Sequence, residues 1–459
     1  MTKNKLGASF RDPSGFLYRK DGRLYRQVNH SYQGDYDLLM GSGLYQSLVE
    51  KGRLIPHQEV DVKPEIPSLA YKIIEPDMVT FISYPYEWSF NQLKDAALLT
   101  LNIQKRAMKY GMSLKDASAY NIQFQKGKPV LIDTLSFEAY EEGKPWVAYR
   151  QFCQHFLAPL ALMAKVDIRL NQLMRIYIDG IPLDMASELL PWGTRLNLGL
   201  GTHIHIHASA QKKYADQAVE KPERSATLNR QALEGLIESL RSTVKALSWK
   251  PVGTEWTDYY DATNYTNDAF SQKRDIVKNL AAKVKPALVW DLGANTGVFS
   301  QAAIEIGSEA VAYDIDPGAV DKNYLDCKAR KETKMLPLLL DLTNPSPALG
   351  WANDERMSFA QRGPANLVMA LALVHHLAIS NNVPLPMLAD YLSQCGKWLI
   401  IEFVPKEDSQ VQRLLTTRKD IFDHYNQPDF EEAFSEVYHI RETIPVPGTR
   451  RTLYLMEVR

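Results

Sequence analysis

The stretch Leu288-Val289-Trp290-Asp291-Leu292-Gly293-Ala294-Asn295-Thr296-Gly297-Val298-Phe299-Ser300 decides how the second half of this chain is read. An apolar run of strand length ends at Asp291. Two glycines come after it, and an apolar helix-forming run starts near Val298. Strand, turn and helix with glycines in the turn is a ligand-binding geometry. Gly293 and Gly297 let the backbone turn sharply and approach a ligand closely. The helix after them offers unpaired N–H groups and the positive end of its dipole. Dinucleotide-binding enzymes carry G-x-G-x-x-G at this place. Here the residues are Gly293-Ala294-Asn295-Thr296-Gly297, which weakens a nicotinamide or flavin reading.

Outward from the loop, strands and helices alternate. Strands are expected at 287–290, 310–313, 336–340, 366–371, 397–403 and 452–458. Helices are expected at 298–306, 318–330 and 385–392. Such alternation predicts a mostly parallel sheet with helices on both faces. The last strand is expected to insert antiparallel beside its neighbour. Three further features succeed the loop in order. Asp314 stands directly after the second strand, where a carboxylate can accept from both hydroxyls of a ribose. Asp341-Leu342 comes after the third strand. The run Ala365-Asn366-Leu367-Val368-Met369-Ala370 leads into Leu371-Ala372-Leu373-Val374-His375-His376. Any one of these acids could equally be a turn or cap residue.

Together, the D-x-G-x-x-x-G of Asp291, Gly293 and Gly297, the run Ala312-Tyr313-Asp314-Ile315-Asp316 and the two later features resemble class I S-adenosylmethionine-dependent methyltransferases. The resemblance covers 256–459. It implies a Rossmann-like α/β domain with a mostly parallel seven-stranded sheet, and S-adenosyl-L-methionine as cofactor. It places the methionine part of the cofactor on Asp291, Gly293, Ala294, Asn295 and Gly297. It assigns the ribose to Asp314, the adenine ring to Ile315, and the adenine amino group to Asp341 beside Leu342. Ala370 is expected near the methyl group through its backbone. The whole chain resembles bacterial proteins grouped with nodulation-related methyltransferases.

Methyl transfer is in-line displacement at a carbon already activated by a positive sulfur. The enzyme positions the nucleophile and removes at most one proton. His375 and His376, just past the fourth strand, are candidate general bases at neutral pH. The plainer alternative is that one packs at the helix start and the other caps or binds water. Glu402 ends the fifth strand at the ligand-facing edge, to orient substrate or to cap the next element. Upstream, Trp256, Tyr259, Tyr260, Asn264, Tyr265 and Phe270 crowd a short span, read either as a lid over the cofactor or as an aromatic helix packing on the sheet.

The first half reads differently. Two aromatic-containing runs flank Asp21-Gly22, a hairpin turn signal. The residues 90–110 carry a helical apolar pattern ending near Gly111. Two strands are expected within 70–84, broken at Glu75-Pro76-Asp77, and a long buried helix at 146–165, kinked by Pro159. Asp116 and Asn121 have the D-x-x-x-x-N spacing of a kinase catalytic loop, and Asp133 comes after a short strand as a metal-binding aspartate does. This half resembles the kinase and aminoglycoside phosphotransferase fold. It departs from that pattern in Asp133-Thr134-Leu135, in lacking a Gly-rich loop, and in offering Arg26 where a strand lysine belongs. The resemblance implies an α+β domain with a nucleotide or metal site at Asp116, Asn121 and Asp133. The alternative function is a phosphotransferase or ATP-binding module with a regulatory second domain. In Thr202-His203-Ile204-His205-Ile206-His207 a strand would put the three histidines on one face, as a metal site or, the favoured reading, as a surface strand or a partner contact. No acidic or cysteine partner lies nearby to complete a metal site.

The organisation expected is 1–210 as the α+β domain, 211–253 as linker and helix, with the linker at 212–225, and 254–459 as the methyltransferase domain. The 459 residues carry 53 basic and 54 acidic side chains. That balance does not favour bulk nucleic acid as partner. A small molecule or a protein is the favoured methyl acceptor, its identity unread, as is the oligomeric state. Three scattered cysteines make neither a disulfide framework nor a zinc site, which fits a cytoplasmic protein. The polar start has no secretory h-region, and no apolar run has the length of a membrane span.

Overall fold

The computed structural model describes residues 5–209, 229–251, 267–416 and 419–459. The linker expected at 212–225 and the aromatic residues Trp256 to Tyr265 lie outside them. The chain divides into two compact units. One holds Met1–Lys250 with Ala348–Arg356, the other Pro251–Pro347 with Met357–Arg459.

In the first unit, β1 (Gly15–Lys20) and β2 (Arg23–Asn29) pair antiparallel in full register from Gly15↔Val28 to Lys20↔Arg23. The turn between them places Asp21 at φ 51° and Gly22 at φ 77°, as the Asp-Gly pair requires. β3 (His57–Glu59) and β4 (Ala70–Pro76) complete a sheet of order β1-β2-β4-β3. The second strand expected before Tyr84 does not form. β4 runs to Pro76, whose ring removes the next ladder donor. The helix Phe90–Met108 starts in a capping box. Ser89 Oγ accepts from the Gln92 N–H, and the Gln92 side chain accepts from the Ser89 N–H at 2.9 Å. Past its end stands Gly111, at φ 72°.

Short ladders come next. β5 (Met112–Leu114) pairs with β8 (Phe137–Ala139), and β6 (Ile122–Gln125) with β7 (Lys128–Leu131) across a turn at Lys126-Gly127. The long apolar run is helical from Tyr149–Phe152 through Ala158–Lys165. Between them Cys153–Leu157 is a π turn. That wider turn absorbs the N–H that Pro159 lacks, so the helix is locally widened instead of broken.

The histidine run is not a strand. Gly201–Ile206 is a π-helical segment. His203 is held by the Tyr149 hydroxyl (2.8 Å) and Ser239 Oγ (2.9 Å), and His205 by Ser187 Oγ and Thr194 Oγ1, both at 2.8 Å. His207 stacks on Tyr149. His203 and His207 share Tyr149 while His205 points to Ser187 and Thr194, so the three do not form one face, and the hydroxyl partners outweigh a six-residue alternation.

The second unit is a seven-stranded sheet among the described residues. Its strands are β9 (Leu288–Leu292), β10 (Glu309–Asp314), β11 (Met335–Leu339), β12 (Ala365–Ala370), β13 (Gly396–Phe403), β14 (Tyr438–Pro445) and β15 (Thr452–Val458). Their order is β11-β10-β9-β12-β13-β15-β14. The first five are parallel. β15 lies antiparallel between β13 and β14, as expected of the terminal strand. This is a doubly wound arrangement whose order reverses between β9 and β12. Ligands bind at such a reversal, outside the carboxyl ends of the strands. The helices Asn267–Val284 and Val298–Ile304 supply Val277, Leu280, Ala281, Phe299 and Ala303 to a core that includes Val289, Leu367, Ile400 and Leu455. Each of these Val, Leu, Ile and Phe side chains contributes about 1.5–3 kcal/mol on burial. No helix of the described residues is long and apolar enough to cross a membrane.

Candidate functional site

The carboxyl ends of β9, β10, β12 and β13 bring most of the expected residues to one edge. β9 delivers Asp291, buried and accepting from Ser300 Oγ at 2.6 Å. Burial pushes its pKa up to about 7, against the pull of Ser300. Gly293 and Gly297 both stand at φ 80°, and Asn295 at φ 50°. The N–H groups of Gly293 and Ala294 donate to the Tyr313 carbonyl at 2.9 and 2.8 Å, which fastens the turn to β10. A Cβ on Gly297 would meet Asn323 Nδ2 at 2.6 Å and Met335 Sδ at 2.9 Å. A Cβ on Gly293 would meet only Leu373, at 3.5 Å. Gly297 is a packing requirement; at Gly293 a Cβ would make ordinary van der Waals contact with Leu373, so there the positive φ alone favours glycine.

Asp314 ends β10. Its two oxygens accept from the N–H groups of Asn295 (2.7 Å) and Asp316 (2.9 Å). An ionised carboxylate has acceptor capacity beyond these two. Burial is the first cause that raises its pKa, to about 6, and the backbone donors work against it. Asp316 has a different task. It caps the helix Pro317–Arg330 by accepting from the Gly318 N–H at 2.7 Å. Ile315 is 61% exposed beside it. Asp341 is half-buried, accepting from the Thr343 N–H and hydroxyl at 2.8 and 2.7 Å, with Leu342 half-buried next to it. Ala370 is buried at the end of β12.

His375 is 0% exposed, and neither ring nitrogen has a hydrogen-bond partner among the described residues. Burial first, then His376, Arg451 and Lys273, hold its pKa well below the usual imidazole value. His376, ring to ring with it at 4.2 Å, is lowered to about 4 by burial and by Arg451. Both imidazoles are neutral at pH 7.

Glu402 is also 0% exposed, and it is the centre of a buried polar network that the sequence did not announce. Lys273 Nζ donates to Glu402 Oε2 at 2.6 Å, with the two side chains 3% and 0% exposed. The same oxygen accepts from the Ala372 N–H at 2.7 Å. Ala372 stands at φ 50°, a left-handed conformation that costs a non-glycine residue about 1–2 kcal/mol. Glu402 therefore holds the turn between β12 and His375. Arg451 approaches its other oxygen at 3.6 Å and makes a two-pronged pair with Asp408 at 2.7 and 3.1 Å. Lys273 and Arg451 were missed. A signal for Lys273 existed, since it shares a helical stripe with Phe270, Val277 and Leu280, and a cation on a buried stripe must find an acid.

In the first unit, Asp116, Asn121 and Asp133 also meet. Asn121 Nδ2 donates to Ser136 Oγ at 3.4 Å, and Ser136 Oγ donates to Asp133 Oδ2 at 2.6 Å. Asp116 accepts from the Ser118 N–H at 2.9 Å. Its pKa is raised by burial and then by Asp133, and lowered by its hydrogen bond with Asn121. Arg26 joins the cluster, pairing with Asp133 at 2.6 Å and Asp12 at 2.7 Å. Asp133 thus faces a guanidinium.

The nodulation protein NoeA of Rhizobium meliloti (strain 1021) is 36% identical to this chain over 462 residues, which span 99% of this chain and 96% of NoeA. Among solved structures, magnesium protoporphyrin IX methyltransferase from Synechocystis PCC 6803 with bound SAH is 16% identical, over 44% of this chain and 93% of its own, with a TM-score of 0.31. The N-methyltransferase NodS from Bradyrhizobium japonicum WM9 is 11% identical, over 42% of this chain and 97% of its own, with a TM-score of 0.30. No family model matches the chain.

Proposed function

The chain belongs to the family of the nodulation protein NoeA, and from that premise we propose that it is an S-adenosylmethionine-dependent methyltransferase working through its second unit. One observation carries the reading. The Asp314 carboxylate stands at the end of the strand next to the glycine turn, tied to that turn through the Asn295 N–H. A carboxylate fixed there is placed to accept from a ribose, beside a turn whose glycines stand at positive φ. The donor set fits the cofactor: Asp314 for ribose hydroxyls, Asp341 for the adenine amino group, and the turn from Asp291 to Gly297 for the methionine end. When bound, the cofactor supplies a methyl group activated by a sulfonium.

The chain's own residues then position and exclude. Ala370 and the turn held by Glu402 shape the edge that the acceptor approaches. His375 is neutral, and with neither ring nitrogen partnered among the described residues it can accept a hydrogen bond from, or donate one to, a ligand that reaches it, while its lowered pKa makes it a weak base. Glu402, engaged by Lys273 and Ala372, acts through the turn and is a positioning residue. The acceptor is a small molecule or a protein. S-Adenosylmethionine carrying a tritiated methyl group, incubated with the chain and fractionated bacterial extract, should pass label to one fraction, and Asp314→Asn should lose the transfer. Failure of the parent to label any fraction while binding the cofactor would make it a non-catalytic binder.

A second reading concerns the first unit. Asn121 and Asp133 meet at Ser136, and Asp116 is hydrogen-bonded to Asn121, a grouping that favours a magnesium-nucleotide site there. Arg26 would have to yield Asp133 to the ion. Magnesium with ATP should raise the unfolding temperature of the parent and leave Asp133→Ala unmoved. No shift in the parent removes this reading.

A further inference from the structure

The second unit contains a groove that the methyl-transfer reading does not use. It lies between the helices Leu385–Cys395 and Gln427–Ser435, and its volume is about 730 Å³. That is within the range of small-molecule sites, about 300–1,000 Å³. Its apolar lining comes from Val383 and Leu385, after β12, and from Ile421 and Phe422, after β13. The Tyr425 hydroxyl donates to the Val404 carbonyl at 2.7 Å, which pins that second segment to the carboxyl end of β13. The groove therefore opens near the sheet edge that carries Glu402. Ile421 is 65% exposed in it, a large aliphatic side chain left in water.

One wall is charged. Asp429, Glu432 and Glu436 line the groove at helical spacings of three and four, so they form one stripe. Asp429 is paired with His424 at 2.9 Å. Glu432 and Glu436 are exposed and have no ion-pair partner among the described residues. Glu436 sits at the helix C-terminus, where the dipole adds negative potential. No lysine or arginine lines the groove. An apolar trough with carboxylates of one sign along its wall complements one ligand chemistry: an apolar body bearing a cation.

We propose that this groove binds an organic ammonium ion, its hydrocarbon part against Ile421, Phe422, Val383 and Leu385 and its ammonium against Glu432 and Glu436. The site is independent of the cofactor and would stand if methyl transfer were disproved. An anionic or neutral amphiphile of the same length would meet the same apolar floor without the charge match. Exposed ion pairs are individually weak, so two of them give a preference of about tenfold for the cation. It should shrink as salt is added.

The test uses the full chain and three probes of equal length, n-octylamine, n-octanol and n-octanoate, titrated by calorimetry at pH 7. Octylamine should bind saturably and about tenfold more tightly than octanol, with octanoate weakest. Glu432→Gln with Glu436→Gln, both on the surface, should bring octylamine down to octanol without moving the unfolding temperature. Ile421→Ser should weaken octylamine and octanol alike. Equal binding of amine and alcohol by the parent would overturn the proposal. So would an amine preference that survives the double variant, or the absence of saturable binding at millimolar probe.

Discussion

Replacing Glu402 by glutamine isolates the charge in the buried network. The amide oxygen still accepts from the Ala372 N–H, and the shape is kept, but the Lys273 ammonium, 3% exposed, loses its carboxylate. Removing one member of a buried pair costs about 3–5 kcal/mol. The structure bounds the figure. Burial already lowers the Lys273 pKa, and Glu402 is the first cause that opposes this. Loss of Glu402 removes that opposition, and full release of the lysine proton on folding sets the upper limit of the cost. From an ordinary lysine pKa of about 10.4, that release costs about 4.6 kcal/mol at pH 7 and about 1.9 kcal/mol at pH 9, at about 1.36 kcal/mol per pH unit. The sign comes from proton counts. At that limit the variant's unfolded state holds the proton and its folded state does not, so its stability rises with pH up to the unfolded pKa. Hydrogen exchange of the β13 peptide, across pH 7 to 9, reads the second unit alone. The variant should lose about 3–5 kcal/mol at pH 7 and regain more than half of it by pH 9. Lys273→Met combined with Glu402→Gln should be less damaging than the two singles added. A loss below about 1 kcal/mol that does not change with pH would refute the pairing as the reason for Glu402.

Three further outcomes concern the loop and its acids. Cofactor affinity should rise as pH increases through about 6, where Asp314 ionises, and Asp314→Asn should bind weakly with no such rise, as read by titration at pH 5, 6 and 7.5. Gly297→Ala should destabilise the second unit by about 1–3 kcal/mol and weaken the cofactor, because its Cβ meets Asn323 Nδ2 at 2.6 Å at a left-handed φ, while Gly293→Ala meets strain alone; denaturation of both separates them. Asp291, raised by burial to about 7, keeps its proton in the folded state after the unfolded chain has lost its own. Stability from this residue is therefore full below about pH 4 and is lost as pH rises through about 7, so Asp291→Asn should flatten the cofactor-free stability profile between those limits.

The second unit was legible because its signals are local and repeated. Each parallel strand is an apolar run, and Asp291, Asp314 and Asp341 punctuate the strand ends in order. The antiparallel insertion expected of 452–458 is found, β15 pairing antiparallel with β13 and with β14. Its partner β14 was missed because only Tyr438 of Tyr438–Pro445 is buried and the rest alternates half-buried and exposed residues, a weak signal for a strand. The histidine run failed for the opposite reason. Its alternation is real but short, and the hydroxyls of Ser187, Thr194 and Ser239 that decide it come from elsewhere in the chain. Lys273, Glu402 and Arg451 show the same limit. Each lies far from the others in sequence, and only the packed sheet edge makes them one network.

The central claim is that the turn from Asp291 to Gly297, with Asp314, holds S-adenosylmethionine. Titration calorimetry of the full chain with S-adenosylmethionine at pH 7.5 tests it directly. The account predicts saturable binding at one site per chain, strongly weakened in Asp314→Asn. Folded protein that takes up no cofactor at millimolar concentration would contradict it.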